Sequence, residues 1–166
     1  MKIKNNDFIV RSPKLSDVND LWEAYNDEGV SQGMVFPDSE KEFKLEFKKN
    51  IKKKPKDSDS LVIEICGKVI GKISLHDIIP TLKGKSSSYL HKDYRNKGIM
   101  SKAKKIALNY WFKKYKLRRI YGYCRSYNKA SAKSMEKAGY KFEGVIKKNT
   151  LKDGKYYDDY LYAVTR

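Results

Sequence analysis

The spacing of apolar residues changes repeatedly along this chain, and that alternation constrains the fold more than any other feature. Four segments repeat apolar residues every three or four positions, which predicts amphipathic helices at residues 16–25, 39–54, 98–116 and 128–138. Seven shorter segments rich in β-branched and aromatic residues predict strands at residues 8–11, 61–66, 69–75, 87–90, 120–124, 140–146 and 156–164. The resulting order, β-α-α-β-β-β-α-β-α-β-β, is a mixed α/β fold with antiparallel hairpins and one helical crossover between parallel strands.

Capping and turn residues mark where these elements begin and end. Gly67-Lys68 and Asp153-Gly154 predict tight hairpin turns. The helix ends are marked by Ser16, Gly29, Gly33, Pro37-Asp38-Ser39, Lys52-Lys53-Lys54-Pro55 and Gly139. The helix at 98–116 has one apolar face, and we expect on its opposite side Lys104, Lys105 and Asn109.

The length of 166 residues fits one domain, residues 1–166, with a hydrophobic core of its own. Hydrophobic residues make up 40% of the chain, which excludes a disordered protein. No apolar run reaches the roughly 20 residues of a membrane span, and the first residues do not resemble a signal peptide, so we expect a cytoplasmic protein without membrane contact. Cys66 and Cys124 lie in strand-like segments, where two lone cysteines predict reduced core residues and no metal site.

Positive charge is concentrated in the second half of the chain. The net charge is +17, from 37 Lys and Arg against 20 Asp and Glu. Residues 1–83 hold 15 basic and 14 acidic side chains, whereas residues 84–166 hold 22 and 6. This asymmetry indicates a polyanionic partner, which is nucleic acid, a membrane surface or a phosphorylated cofactor. Codon bias is an alternative explanation for the number of lysines, but it does not explain the near-neutral first half.

A basic turn between a predicted strand and the helix at 98–116 has the features of a phosphate site. Its sequence is Tyr94-Arg95-Asn96-Lys97-Gly98-Ile99-Met100-Ser101. A glycine lets a ligand approach the backbone closely, and the first amides of a helix point outward at the positive end of its dipole. Such a turn can hold a pyrophosphate. The spacing fits neither a dinucleotide-binding fingerprint nor a P-loop, and a plain strand-to-helix turn is the alternative.

Several motifs in this half resemble those of one enzyme superfamily. Arg95-x-x-Gly98-x-Met100 is similar to the Gln/Arg-x-x-Gly-x-Gly/Ala signature of GNAT acetyltransferases, which grips the pyrophosphate of acetyl-CoA. The segments 128–131 and 135–144 resemble the RimJ/RimL-like branch, which acetylates ribosomal-protein N-termini, and 153–158 resembles its closing hairpin. The resemblance implies a GNAT fold, with a mostly antiparallel twisted sheet of about seven strands, splayed at one parallel pair, and about four helices.

The resemblance also implies a role for each half of the domain. Residues 1–83 would form the acceptor side, and residues 84–166 would bind acetyl-CoA as cosubstrate, without a metal. The parallel strands 87–91 and 120–125 would splay apart around the pantetheine arm. The residues that would contact acetyl-CoA, mostly through their backbone, are Leu90, His91, Arg95, Asn96, Lys97, Gly98, Ile99, Met100, Ser101 and Asn128.

Acetyl transfer to an amine needs a base, an oxyanion donor and an acid for the departing thiolate. By resemblance, Ser131 is the candidate acid, and a backbone amide near Leu90 or His91 is the oxyanion donor. Met135 replaces the tyrosine that many relatives use as acid. No covalent enzyme intermediate is required, so neither cysteine needs to act as a nucleophile.

The carboxylate bases of many relatives are missing, since Ser86-Ser87-Ser88 and Thr150 stand at their positions. His76, at the end of a predicted strand, is therefore the candidate base, with Asp77 as a further one. Structural roles remain open for these candidates: a strand-end histidine can be a loop residue, Asn128 can be an N-cap, and Ser131 can be a first-turn hydroxyl. For Asp158 and Asp159 we expect a structural role in the closing hairpin.

The leading hypothesis is an acetyl-CoA-dependent N-acetyltransferase whose acceptor is a protein N-terminal α-amine. A small amine, such as a polyamine or an antibiotic, is the second acceptor class, kept open by the acids Glu23, Asp27, Glu28 and Asp38 on the acceptor side. The hypothesis from another class is a non-catalytic RNA-binding or ribosome-binding module that uses the basic half. Both a monomer and a homodimer fit the sequence.

Overall fold

One mixed β-sheet organises the fold. The computed structural model describes residues 1–5, 7–27, 30, 37, 39–53, 56–152 and 154–166. Within these residues the strands are β1 Lys2–Lys4, β2 Ile9–Arg11, β3 Asp59–Ile65, β4 Lys68–Ile79, β5 Lys83–Leu90, β6 Arg119–Arg125, β7 Lys141–Lys152 and β8 Lys155–Thr165. The α-helices described are α1 Val18–Tyr25, α2 Glu40–Lys53, α3 Ile99–Tyr115 and α4 Lys129–Ala138. The sheet has the strand order β1-β2-β3-β4-β5-β6-β8-β7.

The predicted mixed α/β fold is confirmed, with β1 as an eighth strand that the sequence pattern did not predict. All neighbouring strands pair antiparallel except β5 and β6, which are joined through α3 and run parallel. A helical crossover is the connection that parallel neighbours require. The central pair is therefore the one parallel pair among the described strands.

Strands β5 and β6 diverge soon after they begin to pair. Their register contains only Lys83↔Arg119, Gly84↔Ile120 and Lys85↔Tyr121, although both strands continue beyond these residues. Gly122 lies where the gap begins, and a Cβ there would stand 2.9 Å from the carbonyl oxygen of Ser86. Glycine is therefore needed to bring the two backbones together at the narrow end of the gap. The predicted splay of the parallel pair is confirmed.

The helices cover the sheet on two sides, and each side has its own hydrophobic cluster. Helices α3 and α4 pack with the larger cluster, which includes Trp111, Ile120 and Met135. Helices α1 and α2 pack with the smaller one, which includes Leu21, Phe43, Phe47, Val62 and Tyr89. Alternate residues of a strand face opposite sides of a sheet, so each central strand contributes to both clusters.

Two local predictions need correction. The β3–β4 turn is formed by Cys66-Gly67, both with positive φ, rather than by Gly67-Lys68. Cys66 is therefore exposed on that turn, not buried in a strand, while Cys124 is buried as expected and both thiols are free. Ser16 is not an N-cap either, because Leu15–Asp17 form a 3₁₀ turn ahead of α1. This turn is held by the Asp17 carboxylate, which accepts from Arg11 Nη1 at 2.8 Å.

Ser39 does cap its helix, since its hydroxyl accepts a hydrogen bond from the Glu42 amide. The predicted boundary residues Gly29, Gly33, Asp38, Lys54, Pro55 and Asp153 lie outside the described residues. None of the described helices has the length and hydropathy that crossing a membrane requires.

Helix α3 also places one predicted surface residue inside the protein. Lys104 was expected on the solvent side, but only 7% of it is exposed. It lies one and two turns from Leu108 and Trp111, which are buried on the same face. The aliphatic part of the Lys104 side chain packs on that face as an apolar residue would. Lys104 also lines the cavity described below.

Candidate active site

A cavity of about 1410 Å³ lies where β5 and β6 separate. One side is lined by the turn before α3 and by the first residues of α4, and the other by β4, β5 and α2. Residues 1–83 and residues 84–166, the two halves that the sequence distinguishes, both contribute to its lining. Of the residues predicted to act in catalysis, Ser131 and His76 both line it.

The N-terminus of α3 opens into this cavity without a capping side chain. Gly98 is its N-cap residue, with φ +72° and no side-chain hydrogen bond to the first turn. Asn96 also has a positive φ, of +62°, so the turn bends sharply before the helix begins. A Cβ on Gly98 would meet no atom within 4 Å, which means that the space above the first amides is open. This geometry fits an anionic group such as the pyrophosphate of CoA.

Arg95 holds the turn in place and leaves one guanidinium nitrogen free. Its Nε donates to the Leu90 carbonyl oxygen at 2.9 Å, and its Nη1 contacts Asp27 at 3.3 Å. Its Nη2 is buried and makes no hydrogen bond with a described residue. Lys97 instead lies over the Tyr94 ring, 5.6 Å from its centroid. The unsatisfied Nη2 is a second feature of this cavity wall that fits a phosphate oxygen.

The end of β5 presents only part of the backbone assigned to the pantetheine arm. The His91 amide donates to the Ile70 carbonyl at 2.8 Å, and the His91 carbonyl accepts from the Tyr94 amide at 3.0 Å. Both backbone groups of His91 are therefore used within the protein. Because alternate residues of an antiparallel strand direct their peptide groups to opposite sides, the amides of Ser88 and Leu90 point toward the gap. The His91 ring contacts Glu23 at 3.2 Å.

Asn128 and Ser131 form the start of α4. The Asn128 Oδ1 accepts from the Ser131 amide at 3.0 Å, so Asn128 is the N-cap of this helix. The Ser131 hydroxyl lines the cavity and makes no hydrogen bond with any described residue. A first-turn hydroxyl that donates its proton to the backbone has no proton left to donate into the cavity. The Ser131 hydroxyl makes no such hydrogen bond with a described residue.

Sequence reasoning missed Tyr140, which lies beside the narrow end of the gap. Its hydroxyl is 2.7 Å from Ser86 Oγ, which donates to the Tyr121 carbonyl oxygen. Burial raises the pKa of Tyr140 to about 12. Met135 is buried nearby, with its Cε 3.1 Å from where a Gly122 Cβ would stand. The only local signal was a tyrosine directly after a helix-ending glycine, which does not reveal a contact across 54 residues.

His76 lies on β4, on the acceptor side of the cavity. Its Nε2 is 2.9 Å from the hydroxyl of Ser87 on β5. Burial lowers the pKa of His76, and the nearby charges of Lys72 and Lys85 act in the same direction, while Asp77 and Asp57 oppose it. The imidazole is therefore neutral near pH 7 and can accept a proton. Asp77 is exposed on an irregular part of β4 with a positive φ.

Other candidate groups have structural roles. The Asp159 carboxylate is buried and accepts from Arg125 at 2.7 Å and from the Thr150 hydroxyl at 3.0 Å. Asp158 accepts from the Lys147 ammonium at 2.9 Å. The expectation of a structural role for these two carboxylates agrees with these contacts.

Cys124 lines the cavity, but its burial does not favour nucleophilic attack. Desolvation raises the pKa of its thiol to about 11, so little thiolate exists near neutral pH. Among the described residues, no group of three or more His, Cys, Asp or Glu side chains could hold a metal ion.

Comparison with known proteins identifies the family to which the chain belongs. Residues 7–141 match the family model described as the acetyltransferase (GNAT) domain, and the chain belongs to this family. A curated relative, the uncharacterized N-acetyltransferase YnaD of Bacillus subtilis, is 39% identical over 72 residues, which are 43% of this chain and 42% of that protein. The match thus spans less than half of the curated relative.

Solved structures share the fold over nearly the whole chain. A GNAT-family acetyltransferase from Bacillus anthracis has a TM-score of 0.85 and 27% identity, and the match covers 99% of this chain and 98% of that one. The ribosomal-protein-S5-alanine acetyltransferase of Vibrio fischeri has a TM-score of 0.85 and 23% identity, with coverage of 99% and 96%. At that identity the second likeness shows a common fold.

Proposed function

We propose that this protein transfers the acetyl group of acetyl-CoA to a primary amine, and that the amine is the N-terminal α-amine of a protein. The observation that carries this proposal is the uncapped N-terminus of α3, which opens into the cavity at the diverging strands. Next to the amides of this N-terminus, the Arg95 Nη2 is buried and makes no hydrogen bond with a described residue. Both groups fit the pyrophosphate of CoA.

Bound acetyl-CoA supplies an activated thioester, and the protein contributes position and proton transfer. The amides of residues 99–101 and Arg95 Nη2 hold the pyrophosphate, and the amides of Ser88 and Leu90 face the pantetheine arm. The Leu90 amide is the oxyanion donor, because the His91 amide already donates to Ile70. These contacts fix the thioester at the mouth of the gap.

Proton transfer is divided between the two sides of the cavity. His76 accepts the proton of the attacking amine through the Ser87 hydroxyl, with which it is in contact. On the other side, the hydroxyl of Ser131 passes a proton to the departing thiolate and takes one back from water, so that no alkoxide remains. The Ser86 hydroxyl, which is hydrogen-bonded to the Tyr140 hydroxyl, lies at the narrow end of the gap.

Two observations favour a protein N-terminus over a polyamine. The Vibrio fischeri protein that shares the fold is, by its name, a ribosomal-protein acetyltransferase. In addition, two of the acids that could attract a polyamine are occupied: Glu23 pairs with Lys68 at 2.9 Å, and Asp27 with Arg95 at 3.3 Å. Glu28 and Asp38 lie outside the described residues.

Acetyl transfer from labelled acetyl-CoA to a panel of amines tests this proposal. The panel contains peptides with free N-termini, the same peptides with blocked N-termini, polyamines and aminoglycosides. We expect label only on free N-termini. Label on polyamines or aminoglycosides alone would contradict the acceptor assignment. Failure to bind acetyl-CoA, together with salt-dependent stabilisation by RNA, would favour the non-catalytic RNA-binding module.

A further inference from the structure

The acceptor side of the cavity has a polar strip formed by two adjacent strands. Lys72, Ser74 and His76 alternate along β4, and they pair in register with Tyr89, Ser87 and Lys85 of β5. Because paired residues of an antiparallel ladder lie on one face, all six side chains share the face covered by α1 and α2. All six also line the cavity.

Two neighbouring groups in this strip have no partner. Lys72 makes no ion pair or hydrogen bond with a described residue, and burial lowers its pKa although Glu46 on α2 opposes that effect. The Tyr89 hydroxyl is buried and makes no hydrogen bond with any residue that the structure describes, and the residue as a whole is only 8% exposed. Lys72 and Tyr89 are a cross-strand pair, so their side chains are neighbours on one face of the sheet.

The charges around this pair favour an anion. The described acids that line the cavity are Glu46, which is exposed on α2, and Asp59. Asp59 is already bonded to Lys114 at 2.9 Å and to the Tyr115 hydroxyl at 3.0 Å. Lys85 adds a second cation to the strip and lies 5.2 Å from the centroid of the Tyr123 ring. A cationic side chain of an acceptor would therefore meet two ammonium groups.

We propose that Lys72 and Tyr89 form an acceptor subsite for a carboxylate that lies close to the reacting amine. The inference deepens the proposed function and rests on it. The acceptor is then a protein N-terminus with Asp or Glu among its first residues. The carboxylate would accept hydrogen bonds from the Lys72 ammonium and the Tyr89 hydroxyl, which satisfies both groups at once.

Strand geometry indicates where that acidic residue lies. The amine must reach the His76–Ser87 pair, and Ser87 lies opposite Ser74, two residues along β4 from Lys72. Two strand residues span about 7 Å. An extended peptide advances by about 3.3 Å per residue, so the acidic side chain belongs at the second or third position of the acceptor.

The test uses three tetrapeptide amides, Ser-Asp-Ala-Ala, Ser-Ala-Asp-Ala and Ser-Asn-Ala-Ala. Ser-Asp-Ala-Ala differs from Ser-Asn-Ala-Ala by one negative charge only, Ser-Ala-Asp-Ala places that charge at the third position, and the amidated C-terminus adds none. For each peptide, kcat/KM of acetylation and the Kd in the presence of CoA are measured separately. We expect the wild-type protein to prefer one Asp peptide over the Asn peptide by at least about tenfold in both quantities, a usual size for a charge-assisted contact.

Variants locate the preference. The Asp-over-Asn ratio should fall to about one in Lys72→Met and several-fold in Tyr89→Phe. Lys72→Arg, which keeps the positive charge, should retain most of the wild-type ratio. Lys105→Met removes an exposed lysine of α3 outside the cavity and should keep the wild-type ratio. A ratio that survives in Lys72→Met would overturn the inference even if the enzyme is active.

The two measurements separate the two proposals. Acetylation of all three peptides at equal rates would overturn the carboxylate subsite and leave the proposed function standing. Binding that prefers Asp and depends on Lys72, without acetylation of any peptide, would support the subsite and contradict the function. No binding of either Asp peptide at millimolar concentration would overturn the subsite.

Discussion

The two sides of the cavity are built in different ways. The cosubstrate side consists of short contiguous segments, the turn at residues 95–101 and the start of α4, and it offers mainly backbone amides. The acceptor side consists of side chains from β4, β5 and α2, which only strand register and helix packing bring together. Local sequence can therefore specify the first side, whereas the second depends on contacts between distant residues.

The largest expected effect comes from changing the backbone-built side. Gly98→Glu adds a negative charge and a side chain where the first amides of α3 face open space. We expect loss of the melting-temperature increase that saturating acetyl-CoA gives the wild-type protein, which corresponds to at least a 1000-fold weaker Kd by an order-of-magnitude estimate. Gly98→Asn is the matched control, because asparagine tolerates a positive φ and adds no charge. If acetyl-CoA still stabilises Gly98→Glu, the pyrophosphate does not bind at this helix N-terminus.

On the acceptor side, replacing His76 should reduce turnover without weakening acetyl-CoA binding. General-base catalysis typically contributes about 100-fold or more, so we expect kcat/KM of His76→Gln to fall by about 100-fold. Thermal stabilisation by acetyl-CoA should remain, because His76 lies on the other side of the cavity. Equal losses of turnover and acetyl-CoA binding would show that the two sides are not separable.

The pH profile gives a sharper test of His76. Burial places its pKa below the usual value of 6.5, and a base must be neutral to accept a proton. The kcat/KM of the wild-type protein should therefore show, in addition to the decrease caused by protonation of the acceptor α-amine below about pH 8, a further decrease as the pH falls through that lowered pKa. His76→Gln should lack this acid limb, whereas replacing the other histidine of the chain, His91→Gln, should keep it. An unchanged limb in His76→Gln would assign it to another group.

A smaller effect is expected for the acid on the cosubstrate side. Ser131→Ala removes a free hydroxyl but keeps the amide that Asn128 caps. A thiolate is a good leaving group that water can also protonate, so we expect kcat to fall about tenfold, which is less than acid catalysis usually contributes. Tyr140→Phe is the comparison, since its hydroxyl contacts Ser86 rather than open cavity. A larger loss for Tyr140→Phe would make Tyr140 the proton donor.

The accuracy of sequence reasoning follows the same division between local and distant contacts. The turn before α3 could be predicted because a glycine with positive φ and uncapped amides is a property of a few adjacent residues. The Asn128 cap is likewise determined by local chemistry, whereas the splay of the parallel strands was predicted from the family resemblance. Neither the turn before α3 nor the Asn128 cap depends on a side chain that is distant in the sequence.

The features that were missed depend on tertiary contacts. The Ser86–Tyr140 hydrogen bond joins residues 54 positions apart. The Asp17 carboxylate turns toward Arg11 because a buried charge needs a partner, and this displaces the predicted Ser16 cap. The pairing of Lys72 with Tyr89, whose polar groups make no hydrogen bond with a described residue, follows from the strand register alone. No periodicity in the sequence indicates which lysine is paired and which is free.

A last expected effect, on stability rather than on activity, concerns Lys104, which is buried on α3. Desolvation lowers its pKa from 10.5 to about 8. Below pH 8 the folded protein keeps a buried charge at a cost, and between pH 8 and 10.5 the unfolded chain binds more protons than the folded one, so this cost declines as the pH rises. Lys104→Met keeps the apolar stem and removes the charge. At pH 7 we expect it to raise the free energy of unfolding by up to about 3 kcal/mol.

Denaturant unfolding of the wild-type protein and of Lys104→Met at pH 7, 8 and 9.5 measures this difference. The advantage of the variant should be largest at pH 7 and should shrink toward pH 9.5. Because the Cys124 thiol is present in both proteins, its own titration largely cancels in the comparison. Lys105→Met, on the exposed side of α3, should change stability little at any of these pH values. If Lys104→Met is less stable than the wild-type protein at pH 7, the ammonium has a stabilising partner, and the cavity wall is more polar than its described contacts indicate.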